Sequence, residues 1–179
     1  AQSGGSTAVA ESGSTDSFTV VLNSQPTGDV VFSVTSSDTG EATVSPSALT
    51  FTTGNWNSAQ TVTVTGVNDS IDDGNVNSTT TIAINTGSTA DSTYDSVSSQ
   101  TVTVTTADDD TAGFTVTQSG GSTSVTEAGS TDTFTVVLNT QPTGDVVFAL
   151  TDNDTDNTEI SYSPTALTFI STAFALVSA

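Results

Sequence analysis

QSGGSTAVAESGSTDSFTVVLNSQPTGDVVF, residues 2–32, returns almost letter for letter as QSGGSTSVTEAGSTDTFTVVLNTQPTGDVVF, residues 118–148. The offset is 116 residues. It grows to 118 after a two-residue insertion near residues 152–157, so that Pro46, Leu49 and Phe51 match Pro164, Leu167 and Phe169. A period of that length is too long for a solenoid repeat and has the size of a whole domain. The chain therefore reads as a tandem array. Residues 1–112 make one full unit, and residues 113–179 make the N-terminal half of a second.

Inside the unit the apolar residues alternate. Phe18, Val20 and Leu22 fall on one face, as do Val30, Phe32 and Val34, and the pairs Val62/Val64, Ile82/Ile84 and Val102/Val104 continue the pattern. Thr and Ser fill the other face, which is the signature of half-buried strands. Turn-forming text separates the runs, for instance Ser24-Gln25-Pro26-Thr27-Gly28-Asp29 and Asp72-Asp73-Gly74-Asn75. About seven strands and no helical period predict an all-β, two-sheet sandwich.

Composition narrows the function. The 179 residues include no Lys, Arg or His, and 20 acids give a formal charge of −20. Phosphate backbones and anionic membranes are bound by basic side chains, so nucleic acid and membrane surfaces are excluded as partners. No apolar run reaches membrane-spanning length, so direct insertion into a bilayer is not expected. Without His, Lys or Cys there is no imidazole base, Schiff-base lysine or thiolate. Only carboxylate-pair chemistry would remain, and the expectation is that the chain is not an enzyme. Nitrogen- and sulfur-liganded metals are excluded in the same way, which leaves oxygen-liganded cations, calcium first. The absence of Cys, Met, Lys and Arg suits exposure to oxidants and proteases, and hence an extracellular or cell-surface location.

The acids are not scattered. The four Glu form two matched pairs, Glu11 with Glu127 and Glu41 with Glu159. One acidic turn, Asn68-Asp69-Ser70-Ile71-Asp72-Asp73, follows the strand at 61–65. Another, Asp108-Asp109-Asp110, follows the strand at 101–105 and joins the two units. Three adjacent carboxylates repel, each close pair by roughly 4 kcal/mol at an effective dielectric of about 20. They mark either a wet hinge or a cation site. In a Greek key both acidic turns can reach one end of the sandwich. With Glu11 and Glu41 they would then supply the six to eight oxygens that Ca²⁺ takes.

Several of these pieces resemble the Calx-beta domain. They are Val9-Ala10-Glu11-Ser12-Gly13 and Val125-Thr126-Glu127-Ala128-Gly129, then Leu49-Thr50-Phe51, the turn from Val67 to Asp73, and Asp108-Asp109-Asp110-Thr111-Ala112-Gly113. The resemblance covers nearly the whole chain, and the closing aspartate triplet is its most specific part. It implies an immunoglobulin-like, seven-stranded Greek-key sandwich with calcium at one tip. By position it implies Glu11, Glu41, Asp69, Asp73, Asp108, Asp109 and Asp110 as ligands, Asp72 as a further candidate, and Glu127 and Glu159 as counterparts in the second repeat. Asn68 and Ser70 stand where calcium-rich members carry acids, which implies one or two ions per domain. The family's setting implies a calcium-binding structural repeat of an extracellular adhesin or surface filament, in which calcium stiffens the joint between neighbouring repeats. A calcium-sensing regulatory domain and a carbohydrate-binding adhesin module are the alternatives.

The second repeat matches through Phe169, after which residues 170–179 depart from residues 52–62. Half a sandwich leaves its sheets open. Either the protein continues, or another copy completes the half-domain by strand complementation and builds a filament.

Overall fold

The computed structural model describes residues 6–152, 159–171 and 177–178. The chain divides into two compact units, the first comprising Ala1–Asp69 and Asp73–Asp109 and the second Ser70–Asp72 and Asp110–Ala179.

The first unit is an immunoglobulin-like β-sandwich. Its strands are β1 (Thr7–Ala10), β2 (Thr15–Val20), β3 (Val30–Ser36), β4 (Ala42–Ser45), β5 (Ala48–Phe51), β6 (Gln60–Gly66), β7 (Val76–Ile84) and β8 (Gln100–Ala107). One sheet runs β1-β8-β7-β3-β5 and the other β2-β6-β4. The predicted alternation is the observed one. Val30, Phe32 and Val34 of β3 point inward, as do Val62 and Val64 of β6, and they pack with Phe18, Leu49, Phe51, Ile82 and Val104 in one core. Phe32 and Phe51 meet edge to face at 5.9 Å, the arrangement that ring quadrupoles favour. Trp56 and Tyr94 pack against this core as partly buried residues.

The unit has eight strands among the described residues, not seven. The extra one comes from the N-terminal text. Residues 7–10 pair in parallel with β8, Thr7 with Val104 through Ala10 with Ala107, whereas β2 pairs antiparallel with β6 in the other sheet. The turn between them is tight. Gly13 takes φ 83°, and its N–H donates to Ala10 O at 3.1 Å. A positive φ is easy only for glycine. Further on, Pro46 has no N–H to give a ladder, and it separates β4 from β5.

The second unit contains β9 (Phe114–Gln118), β10 (Phe134–Leu138), β11 (Val146–Ala149), β12 (Ala166–Phe169) and β13 (Val177–Ser178). Its sheets are β13-β10-β9 and β11-β12. Equivalent residues keep the same register. Val146 faces Phe169 and Phe148 faces Leu167, as Val30 faces Phe51 and Phe32 faces Leu49. The edge-to-face pair recurs as Phe148–Phe169 at 5.8 Å. β13 takes the register that β6 takes in the first unit, pairing with Thr135 and Val136 where Thr61 and Gln60 pair with Thr19 and Val20. Among the described residues no strand stands in the place of β7 or β8. The text equivalent to β1, residues 123–126, forms no strand and is exposed.

Candidate metal centre

At one tip of the first unit the ends of β1, β6 and β8 converge with the starts of β4 and β7. Glu11 directly follows β1, and its N–H extends the pairing by donating to Ala107 O at 3.0 Å. Glu41 directly precedes β4. Its carbonyl accepts from Val67 N–H at 2.9 Å and from the Thr106 hydroxyl at 3.3 Å. Asp69 lies three residues beyond β6. The strands meet closely because Gly66 has no side chain, since a Cβ there would stand 2.1 Å from Ala10 O.

The result is an unusual burial. Glu11 is 1% exposed and Glu41 7%. Each has a buried oxygen, Oε2, with no hydrogen-bond partner. A carboxylate without a partner away from water carries a large desolvation penalty. Burial first, then the negative charges of Asp69, Asp108, Glu41 and Asp73, pushes the Glu11 carboxyl up to about 7. Glu41 is raised too, by burial and then by Asp73, Asp38, Asp69 and Asp108.

One carboxylate oxygen each from Glu11, Glu41 and Asp69 lies within 4.8 Å of the others. Oxygens sharing one Ca²⁺ at 2.3–2.6 Å stand at most about 5 Å apart, so the trio fits a hard cation. The two partnerless oxygens fit it independently. No basic side chain can neutralise them as an ion pair, because the chain has no Lys, Arg or His.

The other sequence-selected acids are placed as follows. Asp108 is half-buried and fixed, with Oδ2 accepting from Gly74 N–H at 2.7 Å and its own N–H donating to Asn75 Oδ1 at 3.2 Å. Asp73 is exposed but adds its charge to both glutamates. Asp109 is exposed. Asp72 and Asp110 fall in the second unit, where Asp72 Oδ2 accepts from Ala112 N–H at 2.8 Å. Glu127 and Glu159 are exposed, and no acidic group of metal-binding geometry among the described residues includes them. The local turn at Glu127 nevertheless copies that at Glu11. Thr126 N–H donates to Ser130 Oγ as Ala10 N–H does to Ser14 Oγ, and Gly129 has φ 86°. What differs is the cover, which β6 and β8 provide only in the first unit.

Sequence reasoning did not single out Asp38, whose charge helps to raise the Glu41 carboxyl. Its spacing of three from Glu41 was the available signal. It overlooked Gly66 entirely, because a close backbone approach leaves no mark in a single sequence.

No family model matches the chain, and no curated protein matches it. Solved structures do. The Caenorhabditis elegans MSP-domain-like protein SSP-19 is 15% identical over 60% of this chain and 96% of its own, with a TM-score of 0.39. The Escherichia coli chaperone DraB is 9% identical over 74% of this chain and 65% of its own, with a TM-score of 0.42. Domains 1–6 of the surface layer protein SbsC are 22% identical over 76% of this chain and 22% of that chain, with a TM-score of 0.37. At these scores the likenesses carry no argument about function.

Proposed function

We propose that the chain is a calcium-binding, non-enzymatic structural repeat of an extracellular adhesin or surface filament. One observation carries the reading: Glu11 and Glu41 each bury a carboxylate oxygen that no donor reaches, in a chain with no basic side chain. A cation answers that deficit, and oxygen-only ligands select a hard one. Glu11, Glu41 and Asp69 hold it, and Asp108 and Asp73 add negative field. Extracellular modules of this kind work at affinities near 10⁻⁴–10⁻³ M. The near-identical repeats suit a spacer, whose task is length. Asp108 is the last acid but one before the chain leaves the first unit, so calcium that orders it also stiffens the joint that follows.

The neighbour of such a repeat is another repeat. Phe114, Val116, Val125, Val147, Ile160 and Ile170 of the second unit are exposed, and strands equivalent to β7 and β8 from a neighbouring copy would cover such surface. Association into filaments by that route should give polymers in electron micrographs of the native material, and their absence would remove this part of the proposal.

The test of the site is calcium titration of the protein in EDTA, read by calorimetry and by melting. A ligand at a hundredfold its Kd stabilises by about 2.7 kcal/mol. The melting temperature rises with calcium, and Glu11→Gln with Glu41→Gln abolishes the rise. An unchanged melting temperature in the parent protein overturns the assignment.

A further inference from the structure

The turn Asn68-Asp69-Ser70-Ile71-Asp72-Asp73-Gly74 contains one apolar side chain, Ile71, among acids and amides. The turn is shared. Asp69 and Asp73 belong to the first unit and Ser70–Asp72 to the second, so the chain enters the second unit after Asp69, returns after Asp72 and enters it again after Asp109. Both ends of the turn are tied to the glutamate tip. Val67 N–H donates to Glu41 O at 2.9 Å, and Gly74 N–H donates to Asp108 Oδ2 at 2.7 Å.

The middle of the turn is built into the second unit. Gln141 N–H donates to Ser70 O at 2.7 Å, and Ala112 N–H donates to Asp72 Oδ2 at 2.8 Å, so two backbone donors of that unit find their acceptors here. Ile71 is half-buried. It lines a cleft of about 530 Å³ with Phe114, Leu138, Pro142, Val146 and Phe148, all of the second unit. The first unit supplies a comparison, because Ser24-Gln25-Pro26-Thr27-Gly28 is the counterpart of Thr140-Gln141-Pro142-Thr143-Gly144. The glutamine side chain acts alike in both, donating from Nε2 at 2.9 Å to Thr53 O and to Ser171 O. Ser24 and Gln25 are exposed, whereas Thr140 is buried and Gln141 half-buried. The turn keeps its anchor, and what differs is the cover, to which Ser70–Asp72 contributes.

We propose that Ser70-Ile71-Asp72 is a clip, a recognition element that the second unit holds by two backbone donors and one apolar side chain, so that the folded first unit stabilises the second. A tripeptide fixed at both ends by its own turn loses little freedom on docking, which lets so small a contact count. Ile71 and Asp72 set the fit, one by filling the cleft wall and the other by accepting from Ala112. The clip itself needs no metal. Resting on the calcium reading above, a cation held by Glu11, Glu41 and Asp69 fixes the residue that precedes Ser70, and its binding then stabilises the second unit as well. Such coupling is reciprocal.

The test follows amide exchange, residue by residue, in the 179-residue chain, first in EDTA. Ile71→Ser should speed exchange at Leu138 and Gln141 at least about fivefold, the factor expected when half of an isoleucine's burial is lost, and should leave Val62 and Val64 unchanged. Ile71→Leu should restore the parent rates. Unchanged exchange at Gln141 in Ile71→Ser overturns the proposal, and so does equal acceleration in both units, which is ordinary loss of stability. Calcium is then added. Trp56 is the only tryptophan and packs against the first core, so its fluorescence follows melting of the first unit. Calcium should slow exchange at Gln141 in the parent but not in Ile71→Ser, whose first unit should still melt higher with calcium. If calcium raises that melting and leaves Gln141 as it was, transfer through the clip is refuted and the metal assignment stands. If calcium changes nothing, the metal assignment falls, and the comparison in EDTA alone decides the clip.

Discussion

Two buried carboxylates in the first unit have opposite fates. Asp91 is 4% exposed and fully supplied with donors. Its Oδ1 accepts from the Thr93 hydroxyl at 2.5 Å and Thr93 N–H at 3.0 Å, and its Oδ2 from Thr27 N–H at 2.7 Å. The Thr93 hydroxyl above all, then Thr27 N–H, holds its carboxyl down at about 2. Its contribution is present above the ordinary value of 3.8 and is lost as pH falls through about 2. Asp91→Ala frees those donors, and circular dichroism melting at pH 7 is expected to show a drop of several degrees that narrows on approaching pH 2. Glu11 has no such donors for Oε2. Its folded carboxyl sits near 7 against an ordinary 4.5, so the fold holds a proton that the unfolded chain releases between those values. That contribution is full below pH 4.5 and is lost as pH rises through 7. Its ceiling is about 3 kcal/mol, the worth of that separation at about 1.4 kcal/mol per pH unit. In EDTA the melting temperature should therefore fall from pH 5 to pH 8 by more in the parent than in Glu11→Gln. Saturating calcium should remove the difference, and equal slopes in EDTA would refute this account.

At the scale of elements, the same text has two outcomes. Residues 7–10 (TAVA) form β1, while residues 123–126 (TSVT), equivalent in the repeat and alike at Thr and Val, form no strand. Strand formation here is decided by the partner, β8, and not by local preference. This limits what the sequence could tell. The inward faces of β3, β6, β7 and β8 were legible as alternation, because period two records which side is buried. The parallel β1–β8 pairing and the eighth strand were not, because pairing over nearly a hundred residues leaves no local mark. The acids divide in the same way. Matched copies pointed to Glu11 and Glu41, and acidic turns to Asp69, Asp73 and Asp108, but the exposure of Glu127 and Glu159 follows from strands that a local reading does not weigh. Gly66 offers a test at this level. Gly66→Ala drives a methyl group into Ala10 O, and overpacking of this kind costs roughly 1–3 kcal/mol. Since Ala10 carries Glu11, the variant should melt lower and also show a smaller calcium-induced shift. A normal calcium response in a destabilised protein would separate the packing from the site.

Taken whole, the chain combines a charge of −20 with a sandwich whose first unit has one core and whose second repeats its register. Like charges at that density repel and favour extension, and added salt screens them over about 8–10 Å. Raising NaCl in EDTA should therefore raise the melting temperature, as calcium does, but without saturation at low millimolar concentration and without dependence on Glu11. Identical responses of the parent and Glu11→Gln to calcium would reduce its effect to screening. One feature of the first unit bears on a different property. Its first and last strands, β1 and β8, lie side by side in parallel, from Thr7 with Val104 to Ala10 with Ala107. Tension applied through the two ends of the unit pulls these strands past each other along their length. The bonds between them then share the load and must fail together, whereas an antiparallel end pair would unzip one bond at a time. Such a unit is a mechanical clamp, and stretching single molecules should show a high rupture force that falls when Val9→Pro removes a hydrogen-bond donor from β1.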